Sequence, residues 1–305
     1  MPLWDAFVKT SRNGTFLFER AYMDYHSDRF QDHSLVFLKK NRLFAVLPAN
    51  EEDGSLITHR GLTFGGFILD KSARTTDILD LFETTIAYLR SCNFTKFVYK
   101  SVPTIYHQLP SEEEEYALWI NGARLDVCNI STAIDLRSVM KFPQNTNRAR
   151  NMRKAMRSGY IISETTEMND LWQIVEHSLI SKYGVTPVHS QFEISLLQSR
   201  FPKNIRTFIA TLDGKVAGGI VMYETQQVAH SQYAHATPEA KSQGVIDLLY
   251  NYLIDYYKNQ RPEIRFFDFG ISNENKGRYL NANLISYKED LGGRGITYKT
   301  YVIDF

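Results

Sequence analysis

The chain has 305 residues, and its 35 Lys and Arg nearly balance 34 Asp and Glu, for a formal net charge of +1. No global field therefore draws it to nucleic acid or to a membrane, and any anion must be held by a local cluster. A content of 43% hydrophobic and 23% charged residues is that of a globular protein with length enough for two domains. The two cysteines, Cys92 and Cys128, predict a reduced cytoplasmic setting. So does a start, Met1-Pro2-Leu3-Trp4-Asp5, with neither a basic nor an apolar run, and no window is apolar enough to span a bilayer.

In chain order, Trp4–Thr10 has helical character. Ser34–Leu38, Arg42–Leu47 and Leu62–Ile68 read as strands, separated by turn signals at Lys40-Asn41 and Asp53-Gly54. Apolar residues at Ile78, Leu79, Leu81, Phe82, Ile86 and Leu89 predict a helix over Thr76–Leu89. Phe94–Tyr99 follows as a strand, stopped by Pro103. Ser111 with Glu114 three residues on spells a capping box, and the acidic run there suits a helix start. Val127–Leu136 is expected as a closing strand with Cys128 in the core.

Pro143 marks a break. Asn145–Ser158 predicts a basic helix ended by Gly159, and Tyr160–Thr165 a short strand. Asp170–Ser181 and Gln191–Gln198 are helical. Ile205–Leu212, Val216–Tyr223 and Gln227–His235 are successive strands, the first two joined by Asp213-Gly214, a tight hairpin signal. Helix Ile246–Lys258, strand Ile264–Phe269, helix Lys276–Glu289 and strand Ile296–Ile303 complete the chain. The second half repeats the element order of the first without a residue-level repeat.

Three groups of residues carry candidate chemistry. Arg150, Arg153, Lys154 and Arg157 share one helix face, with Arg148 just before them. Such a stripe suits a phosphate, and equally a solvated face paired with acids. Asp268 ends a hydrophobic strand between aromatics, where burial would raise its pKa and make it a base; the alternative is a structural acceptor of backbone hydrogen bonds. Asp268-Phe269-Gly270 also spells the kinase magnesium motif, but the chain has no His-Arg-Asp loop and no Gly-x-Gly-x-x-Gly loop. His230 and His235 fall on opposite faces of a regular strand, so no metal site is expected from them. Tyr233 shares a face with His235, and either lines an acceptor cleft or packs.

The second half also carries Arg150-Asn151-Met152-Arg153-Lys154-Ala155 with Gly159, and Gly218-Gly219 before His230-Ser231-Gln232-Tyr233. Asp268-Phe269-Gly270 and Tyr287-Lys288 with Leu291-Gly292 follow. Together with the element order, these resemble the GNAT superfamily, and two such units in tandem resemble the Fem-type (FemA/FemB/FemX-like) peptidoglycan aminoacyl transferases. The resemblance covers residues 139–305 by motif and 1–138 by element order. It implies an α/β (α+β) fold of two tandem GNAT-like domains, 1–138 and 139–305, each a mixed sheet flanked by helices, with the active site in the second.

The resemblance also implies roles. Lys288 is aligned with the family's aromatic–lysine pair and is expected to stabilise the tetrahedral oxyanion of acyl transfer, whereas by residue type alone it is a cation at a helix end. Lys241-Ser242-Gln243-Gly244-Val245-Ile246 sits where GNAT enzymes cradle the pyrophosphate of coenzyme A, which makes Lys241 and Gly244 donor-binding candidates. Ile246 replaces the usual small residue there and argues against coenzyme A. Lys100-Ser101-Val102-Pro103 stands where the family carries an acid before proline, so Lys100 alters the acceptor side and leaves the acceptor open. The expected activity is transfer of an acyl or aminoacyl group to an amine of an envelope or peptidoglycan-type precursor. The donor is aminoacyl-tRNA or acyl-CoA as co-substrate, with no tightly bound cofactor and no DNA partner, and the expected state is a monomer or weak dimer. Two alternatives stay open: a coenzyme A-dependent N-acyltransferase on a sugar amine or lipid precursor, and a non-catalytic ligand-binding protein of the same fold.

Overall fold

A computed structural model of the chain describes residues 2–140 and 146–305. Pro143 and Asn145 lie outside the described residues. The fold is mixed α/β, with strands flanked by helices, and divides into two compact units. The first comprises Met1–Ile130, Asn273–Leu280 and Ile296–Phe305; the second comprises Ser131–Ser272 and Asn281–Gly295. The chain therefore returns to the first unit twice after the region of residue 138. No helix among the described residues is long and apolar enough to cross a membrane.

In the first unit, Leu35–Lys39 and Arg42–Leu47 form an antiparallel hairpin, and Ile68–Leu69 adds to its second strand. The expected strand Leu62–Ile68 is reduced to its last residue. Gly65 and Gly66 break the run, and the preceding stretch turns instead of pairing. Asp53-Gly54 does make a turn, between the short strands Asn50–Glu52 and Ser55–Ile57. Ser55–Ile57 runs parallel to Lys96–Lys100, which pairs antiparallel with residues 300–304. Helix Thr75–Ser91 buries Ile78, Leu81, Phe82, Ile86 and Leu89 against Phe67, Phe97 and Tyr99, as its 3.6-residue spacing requires.

The capping box at Ser111 does not form. The helix is Glu113–Ile120, its N-cap is Glu112, and the Ser111 hydroxyl is buried without a hydrogen-bond partner among the described residues. The core recruits Glu114 instead, whose carboxyl accepts from the Tyr99 hydroxyl at 2.5 Å. Burial pushes that carboxyl up to about 8. Cys128, expected in the core, is exposed.

The second unit is built on antiparallel strands Ile161–Thr165, Ile205–Leu212, Lys215–Glu224 and Val228–Ala236, adjacent in that order. Phe266–Ile271 then runs parallel to Val228–Ala236. Helices Thr146–Arg157 and Val245–Gln260 pack on one face, where Ala155, Val245, Leu249 and Leu253 meet Phe208, Ile220, Met222 and Ala229. Helix Asn169–Tyr183 covers the other face, with Trp172 edge-on to Tyr233 at 4.9 Å. The expected helix Lys276–Glu289 is shorter, Ala282–Asp290. Residues 275–277 all have positive φ and form a tight turn, and the Asn281 side chain caps the helix by accepting from the Leu284 N–H at 3.0 Å.

Candidate active site

The site begins where two parallel strands part. Val228–Ala236 pairs with Phe266–Ile271 only from Val228 opposite Phe266 to His230 opposite Asp268. On its other edge the register slips, because Val221 faces Tyr233 while Met222 faces Ser231. Gln232 is thus an extra residue, a β-bulge that bends the strand away from its parallel neighbour. On the facing strand, Gly270 takes φ +79, a left-handed conformation that suits glycine, and the register with Ser131 slips there too. The gap opens into a cavity of about 360 Å³ whose walls include Ala234, His235, Tyr250, Tyr287 and Lys288.

The bulge also corrects the parity expected for this strand. An extra residue between His230 and Tyr233 inverts the alternation, so His230, Tyr233 and His235 all face the same side. This does not make a metal site: no group of three His, Cys, Asp or Glu among the described residues could hold a metal ion.

Lys288 lies in the last turn of helix Ala282–Asp290 and is only 5% exposed. Its amine donates to the carbonyl of Gly270 at 2.7 Å and to that of Ile271 at 2.8 Å. An ammonium has three N–H donors, so one remains for the cavity. Burial lowers its pKa to about 8, and the nearby Asp268 carboxylate opposes that fall. At neutral pH the group is a cation with a readily lost proton.

Asp268 is fully buried. Its oxygens accept from the Ser131 hydroxyl at 2.5 Å, from the Gly270 N–H at 3.1 Å and from His230 Nδ1 at 2.8 Å. A carboxylate committed to three donors and closed to solvent orients its neighbours, and direct proton abstraction from a substrate is not open to it. His235 lines the cavity, and its Nδ1 has no hydrogen-bond partner among the described residues. Burial, with Lys241 and Lys182 nearby, lowers it to about 4, so the ring is neutral. Burial raises the Tyr250 phenol to about 12, and its hydroxyl lies 3.1 Å from Ser231 Oγ.

The wall is strongly basic. Arg148, Lys182, Lys241 and Lys288 face the cavity together with one acid, Asp247. A second cavity of about 790 Å³ adjoins through Ser178, Lys182 and Lys241 and adds Lys215 and His177 against Asp170. An anionic carrier suits this surface better than a neutral one.

Gly244 lines the smaller cavity as the N-cap of helix Val245–Gln260, at φ +88. A Cβ on it would lie 2.5 Å from the Asn151 carbonyl oxygen, so the glycine admits the backbone of helix Thr146–Arg157. The first turn beyond it holds the buried carboxylate of Asp247, which accepts from Asn151 at 2.9 Å and pairs with Arg148 at 3.5 Å. Helix Thr146–Arg157 thus closes one side of this turn and Asp247 sets a carboxylate beside it, which opposes a pyrophosphate.

The structure therefore brings Lys288, Lys241 and Gly244 to one cavity, with Asp268 behind it. Arg150, Arg153, Lys154 and Arg157 are exposed and outside both cavities, and Lys154 donates to the Ser242 carbonyl at 3.0 Å. Arg148 and Asn151, on the inner face, do line the cavity. The signal for them is the apolar pair Met152 and Ala155, which marks the buried side of a helix whose other residues are charged. Tyr233, a candidate for the acceptor cleft, is 8% exposed, packs on Trp172 and bonds His189 at 2.7 Å. Lys100 belongs to the first unit, where its amine is held by the carbonyls of His59 and Leu62.

Comparison with known proteins fits this geometry. The model of the acetyltransferase (GNAT) domain matches residues 144–289. The crystal structure of FemX shares 9% identity over 99% of this chain and 95% of its own, with a TM-score of 0.70. The structure of L-PGS from Bacillus licheniformis shares 13% identity over 98% of this chain and 90% of its own, with a TM-score of 0.66. No curated protein matches the sequence. Residues 144–289 thus match a GNAT acetyltransferase domain, and over its length the chain has the fold seen in FemX and L-PGS.

Proposed function

We propose that the chain transfers an activated acyl or aminoacyl group from an anionic carrier to an amine of a cell-envelope precursor, in the cavity between the parted strands. The observation that carries this reading is the buried amine of Lys288. Two of its hydrogens are fixed by the Gly270 and Ile271 carbonyls, and the third is left for a cavity wide enough to admit an acyl group. A preorganised cation costs no reorganisation when the carbonyl oxygen of the substrate becomes an oxyanion. Holding amine and carbonyl together supplies much of the remaining rate.

Charge and shape support one carrier over the other. Lys182, Lys215 and Lys241 suit phosphates, while the Asn151 backbone and Asp247 over Gly244 oppose the pyrophosphate of coenzyme A. Charged tRNA is therefore the expected donor. The test incubates the purified protein with labelled acetyl-CoA or with a mixture of labelled aminoacyl-tRNAs. Each is offered a peptidoglycan precursor with a free lysine amine, glucosamine or phosphatidylethanolamine. Label is expected to pass from aminoacyl-tRNA to an amine, and to do so far more slowly with Lys288→Met. Transfer from neither donor, or equal rates in the two proteins, overturns the reading; transfer from acetyl-CoA alone keeps the chemistry and replaces the carrier.

A further inference from the structure

The fork holds a second device, which the role of Lys288 leaves unused. His230 is the last paired residue before the strands part, and its Nδ1 lies 2.8 Å from the Asp268 carboxylate. As a carboxylate Asp268 accepts, so Nδ1 carries the hydrogen, and the tautomer this contact selects has its lone pair on Nε2. The His230 side chain is 13% exposed, and its Nε2 has no hydrogen-bond partner among the described residues. The carboxylate is itself fixed by Ser131 and the Gly270 N–H. The ring thus has one tautomer, one orientation and one open nitrogen, which is the arrangement a general base requires.

Its position relative to Lys288 is set by one residue. A Cβ placed on Gly270 would lie 3.4 Å from His230 Cε1, the carbon bonded to Nε2, and the Gly270 carbonyl is the oxygen that Lys288 holds at 2.7 Å. Imidazole and ammonium therefore flank the same glycine at the mouth of the fork. Gly270 takes a left-handed φ and contributes no side chain of its own at this point.

The geometry points to His230 as the general base of the transfer, with Asp268 as its positioning residue, an inference that rests on the acyl-transfer reading. The acceptor nitrogen attacks the acyl carbon, the new C–N bond forms, and the proton the nitrogen loses passes to His230 Nε2. The bond from that carbon to the carrier's oxygen or sulfur breaks with its electron pair. The leaving atom takes a proton from the Lys288 ammonium, and solvent restores both side chains. This division gives each group that flanks Gly270 its own part: the Nε2 lone pair of His230 receives a proton and the Lys288 amine supplies one.

The test compares wild type with His230→Gln, which keeps a donor toward Asp268, with His230→Ala and with Asp268→Asn. In the aminoacyl-tRNA assay His230→Gln is expected to lose about 10²–10⁴ in kcat/KM at pH 7, with the loss shrinking as pH rises and more acceptor is already deprotonated. Imidazole added to His230→Ala restores part of the rate. Nitrogen-15 NMR of histidine-labelled wild type should show the Nδ1–H tautomer at His230, and Asp268→Asn should raise the share of the other. Transfer by His230→Gln at the wild-type rate and pH profile, or an Nε2–H tautomer in the wild type, overturns His230 as base and leaves the Lys288 reading standing. Failure of the wild type to transfer from any donor overturns both.

Discussion

Each unit of this protein contains a lysine whose amine is buried and clasped by two backbone carbonyls. In the first, Lys100 holds the carbonyls of His59 and Leu62, and in the second, Lys288 holds those of Gly270 and Ile271. Burial lowers the first to about 7 and the second to about 8. By burial and pKa alone, Lys100 is the more perturbed, and that criterion would select it as the functional residue. What separates them is the third N–H. Lys288 lines a cavity and has Asp268 nearby to oppose its deprotonation; Lys100 is held down by burial and pressed further down by Arg60. A perturbed lysine is a candidate, and an open wall beside it makes a site.

Removing the two amines should separate these roles most sharply. Lys288→Met keeps the length and deletes the charge, and turnover in the transfer assay is expected to fall ~10²–10³. Binding of the acceptor, measured by calorimetry, should hardly change. Lys100→Met should leave turnover within about twofold. Its effect is on stability, where two carbonyls lose their donor at about 1–3 kcal/mol per buried group, offset in part by removal of a desolvated cation. Urea unfolding reads this directly. If Lys100→Met abolishes transfer in a protein that still folds, the contrast fails.

The pattern of titration gives a smaller effect with a definite sign. The ordinary lysine pKa is 10.5, and both folded values are lower. The unfolded chain therefore binds more protons between about pH 7 and 10.5, so these groups make stability rise with pH in that window. Glu114 works the other way: its folded pKa of about 8 lies above the ordinary 4.5, and its contribution is lost as pH rises through 8. From pH 7 to 9 Lys100 is worth about 2 kcal/mol, Lys288 about 1, and Glu114 about 1 in the opposite direction. The wild type should gain about 2 kcal/mol, Lys288→Met about 1, and Lys100→Met close to none. Flat urea midpoints in all three proteins would show that these amines are not buried as described.

Much of the fold was legible because most of its helices and strands follow local pattern. Arg42–Leu47 and Ile205–Leu212 fall where the alternation and the turn signals place them. The failures have two causes, a tertiary partner that overrode local chemistry and a glycine break inside an apolar run. Tyr99 drew Glu114 away from the capping box, and the Gly65-Gly66 break stopped a strand that its apolar residues suggested. In the site, Lys288 was legible from its setting before the glycine turn. The bulge at Gln232 was not, since nothing in the residue pattern marks the register slip that brings His230, Tyr233 and His235 to one side. Nor did the sequence show that Asp268 would be met by Ser131, 137 residues away.

The basic helix offers the smallest expected effect and completes the contrast between exposed and enclosed charge. Arg150, Arg153 and Arg157 form the stripe that stands out in the sequence, yet they are exposed and outside both cavities. Arg148 and Asn151, on the opposite side of the same helix, reach Asp247 within the cavity wall. Replacing Arg150, Arg153 and Lys154 together with Ala should shift stability by about 0.5 kcal/mol or less, since exposed pairs contribute little. Any weakening of a phosphorylated donor should appear only at low ionic strength, because exposed charges act through solvent and are screened within about 10 Å at 0.1 M salt. Arg148→Ala should weaken the same donor at both low and moderate salt, because it leaves the buried Asp247 short of its cation. If the triple variant loses as much as Arg148→Ala at 0.15 M salt, the outer stripe is itself a docking surface for the carrier, and the division of the helix into a working and a solvated face is wrong.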